Sequence, residues 1–99
     1  VLSFADISLD SGSGLLSCKN KTVRLSGREF QLAEMFIRSP GFVFSADRIM
    51  EKIWGWESDA EINVVWVHIS NLRKKLKQIG SKVSIQANRG LGYYMEAEK

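Results

Sequence analysis

The residue types that build most metal and thiol centres are nearly missing from this chain: one cysteine, Cys18, and one histidine, His68, in 99 residues. A single cysteine cannot close an internal disulfide, so a reducing cytoplasm is the natural setting. One Cys and one His supply too few ligands for an ordinary zinc site and no thiol–imidazole dyad. No apolar run approaches the ~18 residues that a membrane-spanning helix needs. Internal repeats, low-complexity tracts and a glycine-rich phosphate loop before a helix are all absent, and no carboxylate pair is spaced for acid–base work. No enzyme, cofactor or metal is therefore expected. The most informative absence is of charge: from Ile62 to Met95 there is no acid. Residues 1–66 hold seven Lys/Arg against nine Asp/Glu, a net of −2, whereas residues 67–99 hold seven against two, a net of +5. A basic final third on a near-neutral body is the footprint of a polyanion binder.

What is present is an ordinary globular composition, 44% hydrophobic and 25% charged, long enough for one modest core. A single domain over residues 1–99 is expected, and because Val1 is not an initiator methionine, a piece of a longer protein. The pattern is strongest in residues 61–79, EINVVWVHISNLRKKLKQI. Ile62, Val65, Ile69, Leu72, Leu76 and Ile79 follow a 3-4-3-4-3 spacing that only a helix turns into one stripe. Asn63, Val67, Ser70, Asn71, Lys74 and Gln78 fall opposite, with Lys75 and Lys77 on the flanks. That face mixes amides that pair with adenine, a small apolar group that meets a thymine methyl, and cations. An interfacial membrane helix would need a broad exposed apolar face, which this helix lacks because its stripe faces a core.

Along the chain, residues 4–9 alternate as a strand, with Ala5, Ile7 and Leu9 on one face. A turn at residues 10–14 leads to a hairpin of residues 15–18 and 22–25 around Lys19-Asn20-Lys21. Ser26 and Glu29 form a capping box, with Leu25 and Phe30 as its hydrophobic staple. The helix buries Phe30, Leu32, Ala33, Phe36 and Ile37 and stops at Pro40-Gly41. Phe42-Val43-Phe44 is an apolar link. Ser45 caps a second helix with Asp47 in its first turn, apolar residues Ile49, Met50, Ile53 and Trp54, and Gly55 as its stop. Ser58 and Glu61 form a capping box for the basic helix. Residues 83–87 and 93–95 make a closing hairpin whose glycine-bearing turn carries Arg89 beside Gly90. Two helices joined by a short loop, the second basic, outline a helix-turn-helix, and the hairpin is its wing. An arginine at such a tip suits a narrow minor groove.

These segments resemble the C-terminal DNA-binding domain of OmpR/PhoB-family response regulators. The likeness rests on LSGREFQLAEMFIRSPGFVFS (residues 25–45), IMEKIWG (49–55), VHISNLRKKL (67–76) and NRGLGYYM (88–95), in order, and extends over essentially the whole chain. The resemblance implies an α+β winged helix-turn-helix: a four-stranded antiparallel sheet, three helices and a β-hairpin wing. It implies an output domain of a two-component system that controls transcription by binding tandem direct repeats of double-stranded DNA. A receiver domain, phosphorylated under a sensor kinase, would precede Val1. In the family, positions matching Asn63, Val67, Asn71 and Arg73 meet the major groove or backbone, and Arg89 the minor groove. The loop with Trp56, Glu57, Ser58 and Asp59 matches a segment through which some members touch RNA polymerase. The sequence departs from well-known members at Asn63 and Asn71, where arginines are frequent, at Trp66, where an acid is common, and at Ala87, so base preference cannot be transferred.

The reading is a DNA-binding domain whose site residues are Asn63, Val67, Ser70, Asn71, Arg73, Lys74, Lys77, Arg89 and Gly90. His68, Trp54 and Trp66 are read as packing residues and Cys18 as an inert small hydrophobe. The isolated domain is expected to be monomeric, since no zipper heptad extends beyond the one helix. The rival is a winged helix that binds only protein, which an acid-free surface does not require.

Overall fold

A computed structural model describes residues 1–55 and 61–98. The chain opens with a four-stranded antiparallel sheet in sequence order: β1 Leu2–Phe4, β2 Ile7–Asp10, β3 Leu15–Cys18 and β4 Lys21–Arg24. Strand alternation places Ile7, Leu9, Leu16 and Cys18 in the core, and the register pairs Ile7 with Cys18 and Leu9 with Leu16 across neighbouring strands. The single strand expected over residues 4–9 is in fact two, because the chain reverses at Ala5 and Asp6. Ala5 adopts a left-handed conformation, φ 53°, and is exposed. Tertiary bonds hold that turn: the Asp6 carboxylate accepts from Ser81 Oγ (2.7 Å) and from the Lys82 backbone N–H (2.9 Å).

Helix α1, Gly27–Arg38, starts at the expected capping box, with Ser26 Oγ accepting from Glu29 N and Glu29 Oε1 from Ser26 N. Its buried face is Leu32, Ala33, Met35, Phe36 and Ile37; Phe30 is half-buried and packs on the core edge. The following link is more than a connector. Gly41 N donates to Met95 O (2.9 Å), and Phe44 exchanges two 2.8 Å backbone bonds with Tyr93. Helix α2, Ala46–Ile49, is capped by Ser45 and widens into a π-helical turn at Met50–Trp54. Ile49 and Ile53 are buried, and Met50 and Trp54 pack at the margin.

Helix α3, Asn63–Gln78, carries the organising stripe, and β5 Val83–Asn88 pairs antiparallel with β6 Gly92–Ala97 as the closing hairpin. Val65, Ile69, Leu72, Leu76 and Ile79 are buried as expected, but Ile62 is 49% exposed. Ile62 stands at the cap position, before α3 reaches the core, and no side chain caps that end. The capping box expected from Ser58 lies outside the described residues. α3 packs on α1 and β5.

One polar group sits inside this packing. Glu29, only 5% exposed, pairs with Lys75 of α3, whose ammonium also donates to Arg24 O (3.0 Å). Burial pushes the Glu29 carboxyl up, but hydrogen bonds from Lys75 and Ser26 outweigh it and hold the group below its ordinary range. A depressed folded-state value means that the stabilisation is complete above the ordinary glutamate value of 4.5 and is lost as pH falls through the folded value. Glu29→Gln is expected to cost about 1–3 kcal/mol in denaturant unfolding at neutral pH. The gap to the unmodified chain should narrow as pH falls through the lowered folded-state value of Glu29, where the carboxyl becomes as neutral as the amide. A gap independent of pH would mean that the charge contributes nothing.

Candidate nucleic-acid interface

Helical geometry, at about 100° per residue, sorts α3 into two working faces. Val65, Ile69, Leu72 and Leu76 point inward, while Asn63, Val67, Asn71, Lys74 and Gln78 are exposed along the opposite side. Ser70, Arg73, Lys74 and Lys77 turn toward β5 and line a cleft of about 570 Å³ with Ser84, Gln86 and Ala87. A second, smaller hollow joins Ile62 and the start of α2 to the wing tip at Asn88, Arg89, Gly90 and Leu91. Seven of the nine expected site residues thus lie on α3, and two, Arg89 and Gly90, at the wing tip.

Several contacts fix how that side is presented. Arg73 is half-buried and its Nε donates to Ile85 O (2.8 Å), tying α3 to the first wing strand. The wing is tied to α2 in turn, because Gly92 lies against Phe44 and Ser45 at φ 149°. A β-carbon on Gly92 would fall 2.0 Å from Phe44 O, so only glycine allows the approach. On the other flank, the Arg28 guanidinium lies 5.4 Å from the Trp54 ring centre, and Trp54 meets His68 edge-on at 5.1 Å. His68 Nδ1–H donates to Val64 O (2.8 Å), so His68 and Trp54 are packing residues as expected.

Three assignments change. Lys75 sits on a basic flank in sequence but is taken up by Glu29, so it is not part of the open surface. Trp66 was expected to pack and is instead 55% exposed; at i, i+4, i+7 and i+11 it shares a stripe with Ser70, Arg73 and Lys77. Arg89 lies in a stretch of sequence without acids, yet Asp47 of α2 lines the same hollow. No ion pair joins them: the pairs among the described residues are Arg38–Glu34 and Lys75–Glu29. Trp56, Glu57, Ser58 and Asp59 lie outside the described residues. Cys18 is buried, and burial, together with the neighbouring Asp6 carboxylate, pushes its thiol up, which keeps it protonated and unreactive.

A basic helix beside a tethered hairpin is the arrangement expected of a winged helix, and comparison with known proteins agrees. The family model described as "Transcriptional regulatory protein, C terminal" matches residues 20–95. The chain belongs to this family. It is 35% identical over 95 residues to the heme response regulator HssR of Staphylococcus aureus, covering 96% of this chain and 42% of that protein. The chain therefore spans less than half the length of such curated relatives. The solved C-terminal domain of the nisin resistance regulator NsrR is 32% identical, with TM-score 0.83 and complete coverage of both chains. The DNA-binding domain of the response regulator AdeR, solved in complex with an intercistronic region, is 26% identical, with TM-score 0.83 over 97% of this chain and 99% of that one. The fold is the winged helix of these regulator domains, and the family is one of transcription regulators, not enzymes.

Two substitutions on α3 separate its faces. Ile69→Ala should cost roughly 2–5 kcal/mol of stability, since Ile69 is fully buried. Asn71→Ala, exposed opposite, should leave stability within ~0.5 kcal/mol. Equal losses in denaturant unfolding would show that the two faces are wrongly assigned.

Proposed function

We propose that this domain is the double-stranded DNA-binding output module of a two-component response regulator, with α3 in the major groove and the wing against the adjacent minor groove. The observation that carries the reading is the exposed side of α3. It presents amides, a hydroxyl, a valine and cations without an acid, beside a wing held in place by Arg73 and by the Phe44–Tyr93 bridge. Asn63, Val67, Ser70, Asn71 and Lys74 read base edges. Arg73, Lys77 and the wing backbone at Gly90 meet phosphates, and Arg89 enters the minor groove. Full-length function adds a receiver domain phosphorylated by a sensor kinase, binding to tandem direct repeats in the cytoplasm, and RNA polymerase contact through the loop at Trp56–Asp59. Supporting these finer roles is the likeness to response regulators that are more than twice as long.

Salt dependence tests the central reading. With Lys75 occupied by Glu29, the cations facing the groove are Arg73, Lys74, Lys77 and Arg89. Log affinity for duplex DNA should fall against log salt with a slope of about −3 to −4. A slope near zero, or no binding at low salt, would leave the protein-only winged helix as the better description.

Arg89 tests the wing. It is exposed at the tip beside Gly90, whose φ of 82° shapes the turn. Arg89→Ala should leave the melting temperature unchanged and weaken binding by roughly 1–3 kcal/mol, most where the flanking minor groove is A/T-rich. Arg89→Lys should restore part of the loss, because an ammonium is more strongly hydrated. Equal affinity of Arg89→Ala for A/T- and G/C-flanked sites would remove the wing from the minor groove.

A further inference from the structure

Trp66 is the largest side chain on the open side of α3, and among the described residues no hydrogen bond or aromatic pair engages it. It is 55% exposed, while each of the four stripe residues that hold α3 to the core is at most 2% exposed. Its neighbours define its setting. Ile62, one turn before it, is 49% exposed and lines the hollow under the wing tip. Ser70, one turn after it, lines the cleft along β5 with Arg73 and Lys77. By the helical period Trp66 falls on the edge of α3 that carries Ile62 and Ser70, beside exposed Val67 (44%). Leaving an indole and an isoleucine in water is unfavourable, and the cost is recovered only when apolar surface covers them.

The charges around the patch decide what that surface is. Arg73, Lys74 and Lys77 follow Trp66 on α3 and Arg89 lines the hollow with Ile62, so four cations stand against the one acid of that hollow, Asp47, and no acid occurs from Ile62 to Met95. A partner fitting this edge is a polyanion that also offers apolar groups at its recognition surface. Duplex DNA does so through the thymine 5-methyl, which projects into the major groove. We infer that Trp66 is a specificity-determining residue that packs its indole on thymine 5-methyl groups, selecting T·A pairs beside the Val67 contact. This rests on the proposed DNA reading and deepens it.

The test replaces thymidine by deoxyuridine, which removes the methyl and leaves every hydrogen-bonding group of the base in place. Duplexes enriched by the unmodified domain from a random pool serve as the probe, with each thymidine replaced singly. At one or more positions deoxyuridine should weaken binding about three- to fivefold, the effect of one lost methyl contact. At those positions Trp66→Ala should be insensitive to the replacement, while Trp66→Phe, which keeps an apolar ring but has no indole N–H, should retain most of the sensitivity. Trp66→Ala should melt with the unmodified domain, because the side chain is exposed. The inference is overturned if no position is sensitive, or if the sensitivity survives Trp66→Ala and disappears in Val67→Ala. It is equally overturned if Trp66→Phe behaves as Trp66→Ala, which assigns the effect to the indole N–H. In those three cases salt-dependent binding persists and the DNA reading stands; if no duplex is enriched at all, both readings fall.

Discussion

One helix has to serve two surfaces, and most of the architecture follows from that constraint. α3 buries Val65, Ile69, Leu72 and Leu76 against α1 and β5, which fixes its rotation about its own axis. With 3.6 residues per turn, fixing one stripe fixes the opposite one, so the direction of Asn63, Val67, Asn71 and Lys74 is set by apolar packing on the far side. The Glu29–Lys75 pair adds what apolar burial lacks, which is direction. A carboxylate at the start of α1 meets an ammonium in the last turns of α3, and the same carboxylate closes the α1 capping box. A slide of α3 along α1 by one turn would leave Glu29 buried without its cation, a state far costlier than the paired one.

The wing is positioned by backbone ties as well as by the buried side chains of Val83, Ile85 and Met95. Its strands reach the rest of the fold through the Phe44–Tyr93 bridge, the Gly41–Met95 bond and the Arg73–Ile85 bond. Each ties the hairpin to a different element: the link after α1, the lead into α2, and α3 itself. Gly92 is the point where these ties demand a specific residue, since any β-carbon would collide with the Phe44 carbonyl. Arg89 and α3 are therefore held in one frame before any ligand arrives, which lowers the ordering cost of binding.

Local chemistry made much of this fold legible in sequence. Capping at Ser26 and Ser45, the hairpin of β3 and β4, the α3 stripe and the closing hairpin all have short-range signals, and the structure contains each. What sequence reasoning missed depends on distant residues. The Ala5–Asp6 turn carries no glycine or proline signal, because Ser81 and Lys82 hold it from the other end of the fold. Phe42-Val43-Phe44 read as a link since its strand-like partner, Tyr93, lies far along the chain. Gly92 looked like one more turn glycine until Phe44 was placed against it.

The candidate site shows the same division more sharply. Residue type and helical period correctly separate the core stripe from the polar face, but neither says which flanking side chains are already engaged. Lys75 and Lys77 are equivalent as letters in a basic run, yet the fold brings Glu29 to one and leaves the other exposed. Ile62 and Trp66 are apolar letters that packing would normally claim. They remain in water because α3 enters the core only from Val65 onward, and because Trp66 falls on the edge that carries Ile62 and Ser70. The fold thus subtracts one cation from the open surface of α3 and adds two apolar groups to it. Under the proposed DNA reading, a surface so altered would depend less on phosphate attraction and more on the apolar edges of particular bases, and the second of these distinguishes one DNA sequence from another.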